Sequence, residues 1–291
     1  MSRTAAIVIG RNEGARLEAC LASMPPGRAA VVYVDSGSID GSVAAARAAG
    51  ALVVDLDPTR PFTAARARNA GAAALSAAGH ATDFLQFVDG DCTLVPGWVE
   101  TAVAFLETHP QAAVVCGRRR ERHPEASIYN RLCDREWDTP VGRARACGGD
   151  ALMRRAAFEA AGGFRGDLIA GEEPELCVRL RAAGWEVWRI DAEMTRHDAA
   201  MTRFGQWWTR ARRGGHAAAE GAALHGAAPE RHGVAQTRRA LVWGAALPAV
   251  ALGGALLTPW ALLLLSAYPA QVVRLALREG GRRGDWEEAA F

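Results

Sequence analysis

Short apolar runs alternate with helix-like stretches over the first 120 residues, and this alternation restricts the possible folds more than any other feature. Ala5-Ala6-Ile7-Val8-Ile9, Ala30-Val31-Val32-Tyr33-Val34, Ala51-Leu52-Val53-Val54 and Phe84-Leu85-Gln86-Phe87-Val88 have the length and the β-branched and aromatic content of strands buried on both faces. Helical segments around 14–24, 40–48 and 63–78 separate them. Such βαβα order predicts a parallel sheet covered by helices on both sides. After Pro96, Trp98 to Glu107 reads as a further helix and Ala112–Cys116 as a strand. Beyond residue 120 the pattern loosens. Arg118 to His123 is a basic cluster leading into a loop, helices are predicted near 155–161, 173–183 and 203–217, and a strand at Trp185–Ile190. The Gly-, Ala-, His- and Pro-rich stretch 214–233 reads as a frayed helix or linker.

The segment after that has a different character. Ala240 to Val273 runs for 34 residues without a formal charge. A membrane-spanning helix needs about 20 apolar residues, so one span fits, and two would be short with Thr258-Pro259 as the turn. Arg238 and Arg239 precede the stretch and Arg274, Arg278, Arg282 and Arg283 follow it. Basic flanks at both ends favour a hairpin or re-entrant pair with both ends cytoplasmic, and Trp243, Trp260 and Tyr268 suit interfacial positions. A buried or dimer-forming apolar hairpin is the competing reading. The expected organisation is a catalytic domain over 1–235 and a membrane-associating helical segment over 236–291.

Of 34 basic and 32 acidic side chains, six and four fall in residues 236–291, leaving 28 of each in the main domain. That neutrality argues against a nucleic-acid partner held through phosphates. Every basic residue is Arg. None of the six cysteines (Cys20, Cys92, Cys116, Cys133, Cys147, Cys177) has metal-ligand spacing, and a domain this large needs no disulfide framework, so they read as buried thiols in a reducing compartment. Met1 to Gly10 runs straight into a strand without a signal-peptide pattern, which points to a cytoplasmic main domain.

Five features carry chemistry. Asp89-Gly90-Asp91 follows directly on the strand ending at Val88; two adjacent carboxylates at the carboxyl edge of a parallel sheet occupy the usual ligand crevice, repel one another, and suit Mg²⁺ or Mn²⁺. Asp35-Ser36-Gly37-Ser38-Ile39-Asp40-Gly41-Ser42 lies just beyond another strand, with Asp35 and Ser36 placed to accept from a flat polar group and Asp40 or Ser42 to cap the next helix. Arg66-Ala67-Arg68-Asn69-Ala70-Gly71 sits in a small-residue helix; Arg68 can reach a base or diphosphate, whereas Arg66 reads as a solvated position. Glu172-Glu173 precedes Pro174, a residue suited to a first helical turn. Glu173 is either a helix-capping acid or, facing the crevice, a general base. His197, after the last predicted strand, is a candidate third metal ligand or diphosphate contact.

Taken in order, these pieces resemble family 2 glycosyltransferases of the GT-A, nucleotide-diphospho-sugar transferase fold. The resemblance runs from Ile7-Val8-Ile9-Gly10-Arg11-Asn12-Glu13 through the 34–42 turn, Ala67-Arg68-Asn69-Ala70-Gly71, Phe87-Val88-Asp89-Gly90-Asp91 and Ala161-Gly162-Gly163-Phe164 to Glu172-Glu173, about the first 200 residues. It implies a Rossmann-like, mostly parallel α/β sheet flanked by helices, here followed by a hydrophobic helical hairpin. It further implies base contacts by Asp35 and Ser36, with Ser36 standing where a second Asp is common. Asn12 and Glu13 would lie near the nucleoside and Arg68 near the base or diphosphate. Asp91 would bind metal and Asp89 ribose or metal, with the acceptor base at Glu173 beside Glu172. Processive relatives carry Gln-x-x-Arg-Trp, which Gln206-Trp207-Trp208-Thr209-Arg210 does not match. Single-sugar, inverting transfer follows from the resemblance, and the apolar segment points to a glycan or lipid-linked acceptor at the cytoplasmic face of the inner membrane.

Three other readings compete. A dinucleotide-dependent dehydrogenase needs GxGxxG after the first strand, but Gly10-Arg11-Asn12-Glu13-Gly14-Ala15 has the wrong spacing. A sugar-phosphate nucleotidyltransferase needs a Gly-rich, basic loop there, which is missing. A catalytically inactive, membrane-bound nucleotide-sugar-binding protein sits poorly with the presence of both acidic pairs.

Overall fold

The computed structural model describes residues 3–27 and 30–283. It divides into two compact units, up to Ala217 and from Ala218 on. The first is a three-layer α/β unit. Strands β1 (Thr4–Gly10), β2 (Val31–Asp35), β3 (Leu52–Asp55) and β4 (Phe84–Asp89) alternate with helices α1 (Ala15–Ala22), α2 (Ser42–Ala48) and α3 (Ala64–Ala77). They pair in parallel in the order β3-β2-β1-β4. The chain therefore leaves β1 in one direction and returns on its other side, which opens a crevice at the carboxyl ends of β1 and β4. Gly10 and Asp89 end those two strands.

The second half of the sheet is mixed. β5 (Cys92–Leu94), α4 (Trp98–Thr108), β6 (Ala112–Glu121), α5 (Ile128–Trp137), β7 (Gly142–Arg143), β8 (Ala151–Arg154), α6 (Arg155–Ala160), α7 (Glu172–Ala182) and β9 (Glu186–His197) follow in order. β8 enters antiparallel between β4 and β6, and β9 runs parallel to β6. Two registers matter for the site: β6 sets Glu121 opposite His197, and β5 sets Cys92 opposite His197. The long strand β9, paired with β6 on one side and with β5 and β7 on the other, thus carries His197 to within reach of Asp91.

Local chemistry fixes the element ends. The Thr63 hydroxyl accepts from the Arg66 N–H at 3.1 Å and caps α3, and Ser127 does the same for α5 through Asn130 at 3.0 Å. Gly171, at φ +82°, turns the chain into α7. Inside, Trp98 donates from Nε1 to the buried Gln86 at 2.9 Å, and Phe87, Phe158 and Phe164 form an aromatic cluster with centroids 5.3–5.4 Å apart. All six cysteines are free and buried.

Several elements differ from the sequence expectation. α5, β5, β7 and β8 fall where no element was expected, and β6 and β9 run on to Glu121 and His197. Of the expected frayed helix or linker at 214–233, residues 214–225 continue α8 (Phe204–His225), and 226–233 form turns before the next helix. The α8 glycines interrupt the helix less than Ala217–Ala219 and Ala222–Ala223 support it.

The second unit is helical. α9 (Val234–Leu241) continues through a π-helical stretch (Val242–Ala246) into α10 (Leu247–Ala255). The chain reverses at Leu256–Thr258 and returns through a 3₁₀ stretch (Pro259–Ser266) into α11 (Ala267–Arg283). Trp243 and Tyr268 meet edge-on at 5.7 Å across the hairpin, and the Tyr268 hydroxyl donates to the Trp243 carbonyl. Leu256, Leu257, Trp260 and Leu263 are exposed, and Pro259–Arg278 is long and apolar enough to cross a membrane. The Arg282 and Arg283 side chains, and Asp285, Glu287 and Glu288, lie outside the described residues.

Candidate active site

The crevice is built around backbone proximity. The Gly90 N–H donates to the Ile9 carbonyl at 2.8 Å, so a side chain at Gly90 would press within 3.0 Å of that oxygen. Asp89 and Asp91 then project on either side of this contact. Asp91 Oδ2 lies 3.2 Å from His197 Nε2, and Glu121 Oε2 faces the other ring nitrogen at 3.6 Å. Burial alone would disfavour charge on this imidazole, but its bonds to Asp91 and Glu121 prevail and raise it to about 9. Burial likewise opposes charge on Asp91, and the His197 bond reverses this to leave the carboxyl below its ordinary value.

This pair fits a small divalent cation. Cis ligands of an octahedral ion with bonds of about 2.1 Å lie about 3 Å apart, close to the Asp91–His197 separation of 3.2 Å. Cys92 lies in the same cluster, but burial pushes its thiol well up and keeps it neutral. The Asp91 carboxylate suits Mn²⁺ or Mg²⁺, and the imidazole joins it only on giving up the proton it shares with Asp91.

Asp89 belongs to a different network. Arg68, only 2 % exposed, donates to Asp89 Oδ1 at 2.7 Å and to Glu172 Oε1 at 2.7 Å, and lies 3.1 Å from Glu173 Oε1. Its guanidinium also stacks over Phe164 at 5.5 Å. On the opposite side Arg119 reaches Asp150 at 2.8 Å and Asp89 at 3.7 Å. Asp150, fully buried, accepts from the Asp89 N–H at 3.0 Å and from Thr195 Oγ1 at 2.7 Å. The whole network closes only because residue 149 is glycine. A Cβ there would stand 2.5 Å from Asp89 Oδ2 and 2.9 Å from Arg68 Nη2. Arg68 was expected to face a base or diphosphate; it lines the cavity, but its guanidinium is already engaged by three carboxylates.

Glu172 and Glu173 open α7. Glu172 is buried against Arg68, while Glu173 is 14 % exposed. Burial raises the Glu173 carboxyl to about 7, Arg68 opposing and Glu172 and Asp89 adding to the shift. Asp89, Asp91, Glu172 and Glu173 all line one cavity of about 1030 Å³ together with Gly10, Ser36, Phe62 and Arg68. Glu173 also lines a second chamber of about 660 Å³ with Trp137, Cys147, Gly148 and Met194.

The 35–42 turn divides its labour differently from expectation. Asp35 is buried and its carboxylate is engaged internally. Oδ1 accepts from the Tyr33 hydroxyl at 2.9 Å, and Oδ2 from the Gly37 and Ser38 N–H groups at 2.9 and 2.7 Å. Ser36 is the residue of this turn that lines the cavity. Asn12 clasps the same turn: its side-chain oxygen accepts from Ile39 N–H and its own N–H donates to Ser38 Oγ, both at 2.8 Å. Its neighbours Arg11 and Glu13 face the cavity, with Glu13 held 2.7 Å from Arg16 and its carboxyl raised by burial and by Asp91. Asp40 accepts from the Ser42 N–H at 2.9 Å at the start of α2. Arg66 braces the 57–63 loop through the Arg60 carbonyl at 2.9 Å. Phe164 and Gly163 are buried, whereas Gly162 is exposed.

Sequence reasoning missed Arg119, Glu121 and Trp137 as parts of the site, where they join Asp150. Only their lying near the ends of strands and of a helix marked them, and the pairing that brings those ends together is long-range. The four meet around His197 and Asp89: Trp137 packs edge-on to His197 at 4.8 Å and under Arg119 at 5.4 Å.

Comparison with known proteins agrees with this architecture. The profile of the family described as "Glycosyl transferase family 2" matches residues 5–162. The succinoglycan biosynthesis protein ExoA of Rhizobium meliloti (strain 1021) is 29% identical over 197 residues, covering 62% of this chain and 58% of ExoA. The chain thus spans little more than half the length of that relative. Among solved structures, the mannosyltransferase PcManGT of Pyrobaculum calidifontis, in complex with GDP-Man and Mn²⁺, superposes with a TM-score of 0.64 at 24% identity, covering 99% of this chain and 85% of that one. TarS 1-349 of S. aureus gives 0.53 at 16% identity over 79% and 67%. These likenesses share the GT-A fold that the strand order and crevice define. With the family profile covering more than half of the residues, including both strands that frame the crevice, the chain belongs to glycosyl transferase family 2.

Proposed function

We propose that the protein transfers one sugar from a nucleotide-diphosphate sugar to an acceptor hydroxyl, with inversion and with a divalent cation, and that it acts at the cytoplasmic face of the inner membrane in cell-envelope or exopolysaccharide synthesis. One observation carries the reading: Asp91 and Glu173 line the same cavity, large enough for a nucleotide sugar. The donor complex of PcManGT and the likeness to ExoA support the donor class and the pathway class. The exposed apolar hairpin supports the membrane.

The nucleotide lies at the ends of β1 and β2, against Ser36, Phe62 and the backbone of Gly10. Asp91 and His197 would hold the cation, with Glu121 behind the imidazole. When bound, that ion supplies positive charge to a departing diphosphate. Asp89 meets the ribose side of the donor while Arg68 and Arg119 fix its carboxylate. Arg68 ties Asp89 to Glu172 and Glu173, so the donor end and the basic end of the cavity are held at a set spacing. Glu173, at the junction of the two chambers, takes the proton from the acceptor hydroxyl as it attacks the anomeric carbon. Its raised carboxyl matches that task, since a base near the working pH both ionises and accepts a proton readily. Glu172 is the anchor of Arg68 rather than a second base. One base and one displacement invert the anomeric centre.

The test is a panel of UDP-, GDP- and dTDP-sugars with Mn²⁺ and a mixed glycan acceptor pool, with the product anomer read by NMR. Turnover of one donor, lost with chelator and giving the opposite anomer, is expected. Retained configuration or chelator-resistant turnover would overturn the mechanism.

A further inference from the structure

We infer that the second chamber, which Glu173 lines as it does the donor cavity, receives an anionic group of the acceptor, and that Arg189 is the cation that meets it. This acceptor class rests on the reading of Glu173 as the base that deprotonates the acceptor hydroxyl. Arg189 lies on β9 two residues after Val187, so both side chains point to one face of the sheet, and Val187 belongs to the core. The strand bulges just beyond: its register against β6 moves from Cys116–Arg189 to Arg118–Glu193. The Gly117 carbonyl, inside that jump, accepts from Arg189 Nη1 at 2.7 Å.

Arg189 is 9% exposed, and among the described residues no carboxylate pairs with it. A buried guanidinium is almost always paired, because one neutral carbonyl does not offset the cost of taking a full charge out of water. The thiols of this region do not supply the missing charge. Burial pushes Cys116 up to about 11 against the pull of Arg189, and the bond to Cys177 together with burial keeps Cys147 neutral. Arg189 does line the chamber of about 660 Å³, so an anion that enters there reaches the guanidinium. The remaining charged lining favours the same sign, with Arg119, Arg143 and Arg145 against Glu136 and Glu173. Those two acids face other arginines, Glu136 pairing with Arg210 and Glu173 with Arg68. Arg119 and Arg143 are held by Asp150 and Glu186, whereas Arg189 has no such acid. A planar fork of N–H donors takes either a carboxylate or a phosphate, and the chamber has the volume of a small-ligand site. The acceptor is therefore a saccharide bearing one of these anions, with the anion on Arg189 and the reacting hydroxyl at Glu173.

The probes are methyl glucuronoside, glucose 6-phosphate and the neutral methyl glucoside, titrated into the full chain by saturation-transfer NMR. Divalent cations are left out, so that phosphate cannot bind through a metal. At least one charged saccharide should bind about tenfold or more tighter than methyl glucoside, and the one that does so names the anion as carboxylate or phosphate. Arg189→Gln should erase that preference, and Arg189→Lys should keep most of it. Ala146→Glu leaves the buried cation in place but puts a carboxylate on the chamber wall, and it should erase the preference too. No preference among the three saccharides overturns the inference. So does a preference that survives Arg189→Gln or, should that variant not fold, Ala146→Glu. Glu173→Gln separates this from the mechanism. Lost transfer in that variant without any anion preference in the parent removes the acceptor class alone. An Arg189-dependent preference with full transfer in Glu173→Gln removes the base and leaves the anion site.

Discussion

At Glu173 burial opposes the Arg68 charge and raises the carboxyl to about 7. In the proposed mechanism this group is the base and acts ionised. Transfer kcat/KM should therefore fall about tenfold per pH unit below 7 and level off above it; a flat profile between mildly acidic and mildly basic pH contradicts the assignment. Asp91→Ala and His197→Ala should each weaken Mn²⁺ binding at least about tenfold, measured by the free-ion signal in electron paramagnetic resonance. Full affinity in either variant removes that residue from the ligand set. The acids and the histidine were legible in the sequence because carboxylates beyond strand ends are conspicuous. The internal partners were not: Asp35 also accepts from the Tyr33 hydroxyl and two backbone N–H groups. Arg68 also holds three carboxylates. The bond from Arg68 to Glu172 joins residues 104 positions apart, and no local pattern encodes it.

α3 positions Arg68 by packing very closely on the sheet. A Cβ on Gly71 would collide with the Ile7 side chain and stand 3.2 Å from Val34 Cγ2. Gly71→Ala should therefore destabilise the protein by about 1–3 kcal/mol despite alanine's better helix propensity, a drop of several degrees in melting temperature; a stabilised variant would mean that α3 stands off the sheet. The first four strands were legible because each is a compact apolar run with a helix after it. β8 was not, because Ala151–Arg154 is four residues long and its place between β4 and β6 is decided by antiparallel pairing with distant strands. The same short strand delivers Gly149 and Asp150 to Asp89. α5 was passed over because its polar residues mask a stripe that buries only Asn130 and Cys133.

For the whole molecule, the 34-residue uncharged run predicts partition into lipid. Full-length protein should sediment with membranes and stay in the pellet after alkaline carbonate washing, whereas release by carbonate would mean surface adhesion without insertion. The central claim is that donor and acceptor chemistry share one cavity yet use separable residues. Glu173→Gln tests it most directly, with nucleotide-sugar binding by calorimetry and sugar transfer measured on the same preparation. Donor affinity within about twofold of wild type, with transfer reduced about 10²–10⁴-fold, is the expected result. Transfer at the wild-type rate with the donor still bound would contradict it.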